Sequence, residues 1–133
     1  MVEDRVTDGV RIAELLASEI DGRADGWLGN LAVTNAESDV DPTVDGTRAY
    51  DVALATGDAD RVATVNVHPD RAHVAFRAGQ ETAHESATEA GLRTRPKATR
   101  PPQTLVFVES GAEVMRATAV LIAVSRPLTT DSP

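Results

Sequence analysis

The sequence predicts an α+β domain: an antiparallel β-meander of four to five strands, packed by an N-terminal helix and by a C-terminal element that is a helix or a strand. Three observations carry this. Near the start, Ile12, Leu15, Leu16 and Ile20 recur at helical spacing. Between residues 49 and 76, three successive runs alternate apolar and polar side chains with a period of two. After residue 80 the spacing returns to that of helices, interrupted by one short, wholly apolar run. A chain of 133 residues closes one core, so the expected division is a single domain over 1–126 with a flexible tail at 127–133.

The first helix spans 8–21, with Thr7 or Asp8 placed to cap it, Gly22 to end it, and Glu14 and Glu19 off its apolar stripe. Residues 27–33 alternate as a strand, with Trp27, Leu31 and Val33 on one face. Asn35 to Gly46 carries Asp39, Asp41, Pro42 and Asp45, the composition of a mobile acidic loop. Next come Tyr50, Val52 and Leu54, then Ala63, Val65 and Val67, then Val74 and Phe76. Four-residue loops at 57–60 and 69–72 would set Leu54 opposite Ala63 and Val52 opposite Val65, then Val67 opposite Val74 and Val65 opposite Phe76. This register puts every large apolar residue on one face, and a one-residue slip would turn a strand inside out.

Residues 80–91 read as a helix with Ala83, Ala87 and Ala90 on one side and Gly91 as its stop. Thr94 to Pro102 is a proline-punctuated connector, and Leu105 to Val108 is a strand covered on both faces. Ser110 and Glu113 spell a capping box ahead of Val114, Thr118, Leu121 and Ile122, favouring a helix over a strand for the last element.

Charge is distributed unevenly. The net charge is -8, twelve of the thirteen basic residues are arginine, Asp exceeds Glu, and the apolar positions are mostly Ala and Val. This combination is that of a halophilic cytoplasmic protein. At about 1 M salt the screening length is roughly 3 Å, so acidic self-repulsion vanishes while hydrated carboxylates keep the surface soluble. Residues 1–70 hold fifteen acids against five bases, whereas residues 71–133 hold six against eight. Between Glu89 and Glu109 there is no acid, and Arg93, Arg95, Lys97 and Arg100 fall close together on a proline-stiffened strip. Such a strip either pairs with the first helix and acidic loop of its own chain or is an anion or partner-binding site.

Several chemistries are excluded or unsupported. Absence of cysteine removes disulfides, thiolate metal sites and a cysteine nucleophile. No serine stands in a G-x-S-x-G or S-x-x-K setting, and no glycine-rich nucleotide loop occurs. The aspartates of 39–45 lack the glycine position and closing carboxylate of a calcium loop. The longest apolar run, 119–124, is too short to cross a bilayer, and the first residues are not those of a basic, apolar leader. His68 and His73 face one another across the second hairpin beside Asp70, the one weak metal candidate; the expected reading is a solvated hairpin end with a His-Pro-Asp turn, and no metal or other cofactor is expected. His84 belongs on the polar side of its helix. Asp51, Thr64, Asn66 and Arg77 share the polar sheet face with the histidines; Asp51 could do acid–base work there, but the expected reading is an exposed strand carboxylate.

The function expected from these features is a non-catalytic binding or adaptor module that self-associates as a homo-oligomer or docks an acidic partner. The alternatives are a nucleic-acid-binding protein using Arg93, Arg95, Lys97 and Arg100, and a metal-binding protein at His68, Asp70 and His73. Four phosphate contacts would lose about four to five decades of affinity between roughly 0.1 and 2 M salt, which disfavours nucleic acid in a salt-rich cell.

Overall fold

A computed structural model describes residues 8–21, 31–37, 39–54, 61–97 and 102–130. The order of elements is α1 (Gly9–Asp21), β1 (Leu31–Thr34), β2 (Thr47–Leu54), β3 (Arg61–Val67), β4 (Ala72–Phe76), α2 (Gln80–Glu89), β5 (Thr94–Lys97), β6 (Gln103–Val108) and α3 (Val114–Thr130), the last preceded by a 3-10 turn at Gly111–Glu113. The strands form one antiparallel sheet in the order β1-β2-β3-β4-β6-β5. The fold class is therefore the expected α+β meander with a helix at each end, and the C-terminal element is a helix. It has six strands, one more than expected.

The extra strand is β5, read from the sequence as a connector. Its four residues, Thr-Arg-Pro-Lys, have little strand propensity, but each pairs with β6 from Thr94↔Val106 to Lys97↔Gln103. Pro96 tolerates the position because β5 is an edge. The Phe107 N–H donates to the Arg93 carbonyl at 2.8 Å. Backbone bonds to β6 therefore fall on odd-numbered residues, and Pro96 lacks only an N–H that would point outward.

The meander keeps its predicted faces but not its register. Val52 lies opposite Ala63, Tyr50 opposite Val65, Val65 opposite Val74 and Val67 opposite Ala72. Each hairpin is thus shifted by two residues, which preserves the parity of every side chain. In the second hairpin the cause is a tighter turn: the His68 N–H donates to the Arg71 carbonyl at 2.8 Å, leaving only Pro69 and Asp70 in the loop. The first hairpin's loop, 57–60, lies outside the described residues. Two bulges interrupt β2 and β3, with Ala49 and Val62 the extra residues. A bulge re-aims its side chain, and Val62 accordingly joins the core although its neighbours of equal parity face the other way.

All three helices cover one face of the sheet. Ile12, Leu16 and Ile20 of α1, Ala83 and Ala87 of α2, and Val120, Leu121 and Val124 of α3 form one cluster with Val65, Val67, Val74, Phe76, Val106 and Val108. Asp8 caps α1, its Oδ1 accepting from the Arg11 N–H at 3.0 Å. The end of α2 is a Schellman motif: the Leu92 N–H donates to the Ala87 carbonyl at 2.9 Å, the Gly91 N–H donates to the Thr88 carbonyl at 3.1 Å, and Gly91 takes φ +78°. The capping box is only half realised. Glu113 Oε1 accepts from the Glu109 N–H at 2.8 Å, one residue earlier than the motif requires, and the Ser110 side chain caps nothing. α3 continues through Pro127 to Thr130, beyond the expected domain end at 126; residues 131–133, like Trp27 and the rest of 22–30, lie outside the described residues.

Tyr50 ties α1 to the sheet, its buried hydroxyl donating to the Ala13 carbonyl at 2.7 Å. Tyr50→Phe removes that donor and leaves a buried carbonyl short of a partner, so urea unfolding should show a loss of about 1 kcal/mol.

Candidate functional site

The opposite sheet face carries no helix among the described residues, and register determines its neighbours. One row runs Asp51, Thr64, Ala75, Leu105, Arg95 across β2, β3, β4, β6 and β5. The next runs Arg48, Asn66, His73, Phe107, with Arg93 bonded beyond it through its carbonyl. Asp51, Thr64 and Asn66 thus stand on the polar face, as their parity required.

Asp51 is almost fully buried and well supplied with donors. Its Oδ1 accepts from Thr64 Oγ1 at 2.8 Å, its Oδ2 from Asn35 Nδ2 at 3.0 Å, and Arg48 Nη1 stands 3.7 Å away. Asn35 reaches it from a left-handed backbone conformation, φ +52°, that asparagine tolerates. The carboxylate is thereby held as a fastening between β2, β3 and the start of the acidic loop. That loop is tied down elsewhere too: Arg48 pairs with Glu37 at 2.6 Å, and Thr47 Oγ1 donates to the Asp41 carbonyl at 2.8 Å.

The two sheet histidines meet, on the diagonal and not face to face. His73 lies opposite Asn66, and His68 reaches back so that its Nε2 is 2.7 Å from His73 Nδ1. With both rings neutral, the partners assign every proton. The Val44 carbonyl 2.8 Å from His68 Nδ1 only accepts, so His68 Nδ1 carries the hydrogen. A neutral His68 then accepts at Nε2 from the His73 Nδ1–H. His73 in turn accepts at Nε2 from Asn66 Nδ2, at 3.2 Å. All four ring nitrogens are occupied by this chain of donors and acceptors. Burial, and after it the neighbouring His68, Lys97 and Arg71, pushes His73 down from 6.5 to about 4, so it is neutral at physiological pH.

Gly46 covers the pair. With φ +96°, it lies so close that a Cβ there would sit 3.0 Å from His73 Cε1 and 3.2 Å from the His68 ring. Asp70, the third member of the metal candidate, is not brought in: it is exposed and pairs with Arg71 at 3.4 Å. Among the described residues no group of three or more histidine or carboxylate side chains is placed to hold a metal. His84 is exposed on α2, 3.4 Å from Thr94 Oγ1.

The basic strip lies beside the histidines. Arg93, Arg95 and Lys97 have equal parity on β5 and share the helix-free face; Arg100 lies outside the described residues. Arg93 pairs with Glu109 at 2.8 Å. Arg95 and Lys97 are exposed and have no ion-pair partner among the described residues. Together they form one wall of a cavity of about 370 Å³. His73, Leu105 and Phe107 supply its floor, Arg71 and His68 the side toward the β3–β4 turn, and Val44 and Asp45 its cover. Arg71 and Arg93 each set a guanidinium against the Phe107 ring, at 5.6 and 5.8 Å from its centre, and the His73 ring lies 5.7 Å from it. Arg71 Nε is buried and has no hydrogen-bond partner among the described residues.

Two features singled out separately, the strip and the histidine pair, thus border one cavity. Arg71 and Phe107 were not singled out. The signal for Arg71 was its place opposite His68 in a two-residue turn; for Phe107 it was the odd-parity position in β6, which looks away from the helices.

The model of the family described as "Family of unknown function (DUF7993)" matches residues 1–133, and the chain belongs to that family. No curated protein and no solved structure matches it.

Proposed function

We propose that this chain is a small, non-catalytic binding module of a salt-rich cytoplasm that docks an acidic protein segment on the cationic edge of its sheet. The observation that carries the reading is the pair Arg95 and Lys97, exposed on one side of β5 with no acid partner among the described residues. Pro96 supports side-chain docking over sheet extension, because the edge it occupies offers one donor fewer to an incoming strand. Arginine forks at touching distance keep their strength where long-range attraction is screened. The acidic stretch 35–46 of a second copy is one such segment, so self-association is the first form of docking to look for.

Nucleic acid is the weaker reading on chemical grounds. The aromatic ring of this face, Phe107, is already engaged by two guanidinium groups and an imidazole, and offers no free plane for a base.

The test is light scattering in about 2 M KCl, near the regime where screening is complete, together with anisotropy of a labelled poly-aspartate peptide. The wild type is expected to bind the peptide or to form a dimer or larger assembly. In the double variant Arg95→Gln/Lys97→Gln, affinity should fall by about tenfold or more, as the loss of two charge-assisted contacts implies. A strict monomer that ignores the peptide removes the reading, and RNA binding that survives about 2 M salt replaces it.

A further inference from the structure

We propose that the cavity between β5 and the histidine pair is a binding site for a small oxyanion, a phosphate or carboxylate group on a compact molecule, distinct from the docking of an acidic protein. Its three cations come from two separate places in the chain. Arg71 belongs to the β3–β4 turn, while Arg95 and Lys97 belong to the edge strand, and only Asp45 among the lining residues opposes them. Like charges brought into one concavity repel unless an anion sits among them, and a volume of about 370 Å³ is that of a small-molecule site.

Arg71 is the most telling member. Its guanidinium is held over Phe107, and Asp70 engages only Nη1, at 3.4 Å. Nε, a donor in the plane that arginine uses for two-point recognition of oxyanions, is buried and has no acceptor among the described residues. An unmet buried donor is costly; the side chain is 35% exposed, so a turn of the guanidinium would present that edge to an oxyanion in the cavity. The histidine pair does not compete for the ligand. Every ring nitrogen has a partner, so the floor of His73, Leu105 and Phe107 meets the cavity chiefly through carbon. That floor favours an oxyanion carried on a small apolar body over a fully hydrated ion.

The linkage supplies a second readout. Lys97 and Arg71 are among the groups that disfavour a charge on His73. An anion seated between them offsets their field, so occupancy makes His73 easier to protonate.

The experiment is a titration of the whole chain with inorganic phosphate, and separately with succinate, at ionic strength held constant with chloride. Backbone and imidazole shifts are followed by NMR. Saturable shifts confined to residues 44–46, 71–73, 95–97 and 105–107 are expected, with an upward move of the His73 midpoint. Arg71→Gln and Lys97→Gln should each weaken binding about tenfold or more. Arg116→Gln, exposed on α3 on the other side of the sheet, should leave it unchanged. Lys97 is exposed at the edge, so its variant tests the site even if Arg71→Gln fails to fold. Shifts that grow linearly with either anion, match those of chloride, or persist in both variants overturn the proposal. Phosphate binding without succinate binding, or the reverse, identifies which oxyanion the site takes. Because Arg71 lies off the strip, Arg71→Gln separates this site from protein docking: it should lose the anion and keep the poly-aspartate peptide.

Discussion

Gly9→Ala is expected to destabilise the protein by about 3 kcal/mol, although alanine is the better helix former. Propensity alone would favour the substitution by up to roughly 1 kcal/mol. Contact decides the sign. A Cβ on Gly9 would lie 1.9 Å from the His68 carbonyl oxygen and 2.4 Å from that of Arg71. Both obstacles are backbone atoms of a two-residue hairpin turn, and the His68 N–H is already bonded to that Arg71 carbonyl at 2.8 Å. The Gly9 N–H also reaches the Pro69 carbonyl at 3.4 Å, so the first turn of α1 sits directly on the turn joining β3 and β4. Nothing there is a flexible side chain able to swing aside. Either α1 withdraws, uncovering Ile12 and Leu16, or the hairpin turn opens and disturbs His68. Insertion into such a site costs typically 1–3 kcal/mol and occasionally more, and two backbone clashes put this one at the upper end. Urea unfolding should show the loss, with a fall in Tm of about 10 °C. Unchanged or increased stability would mean that α1 does not rest on the turn.

That contact also shows where sequence reading ends. The faces of β2, β3 and β4 were legible because parity is a local property: Val65, Val67 and Val74 point inward whatever the turn. Register was not, because a shift of two leaves parity untouched, and only the length of the turn at Pro69 and Asp70 distinguishes the alternatives. β5 was missed because Thr-Arg-Pro-Lys owes its extended state to β6 and not to its own propensity. The candidate site fared likewise. Arg95 and Lys97 stood out as cations in an acidic chain, and His68 and His73 as a facing pair. Their shared cavity depends on β6 passing between β4 and β5, a pairing across some thirty residues that no local pattern announces. Arg71 looked like a turn residue because its importance comes from Phe107, thirty-six positions away.

Acidification from pH 6.5 to 4 should cost the wild type up to about 3 kcal/mol more than it costs His73→Phe. His73 titrates near 6.5 in the unfolded chain and at about 4 in the fold. Above 6.5 it is neutral in both states and its contribution to stability is complete. Between the two values the unfolded chain takes up a proton that the fold refuses, so each pH unit crossed removes about 1.4 kcal/mol. Below 4 both states are protonated and the contribution is gone. The refusal has a structural origin beyond burial. A second hydrogen on His73 would sit on Nε2 and meet the Asn66 amide hydrogens, so the amide would have to turn over. The charge would also face Lys97 and Arg71, with Arg95 on the same cavity wall, against Asp45 in the lining and Asp70 beside Arg71. Protonated carboxylates elsewhere lower the stability of both proteins alike, which is why the difference between them is the quantity to measure. His73→Phe should be the less stable protein at pH 7.5, since His68 Nε2 and the Asn66 amide lose their partner. Its deficit should shrink steadily toward pH 4, because phenylalanine beside Phe107 has no proton to refuse. Urea unfolding at several pH values reads this directly: converging curves place the titrating group at His73, and parallel curves exclude it.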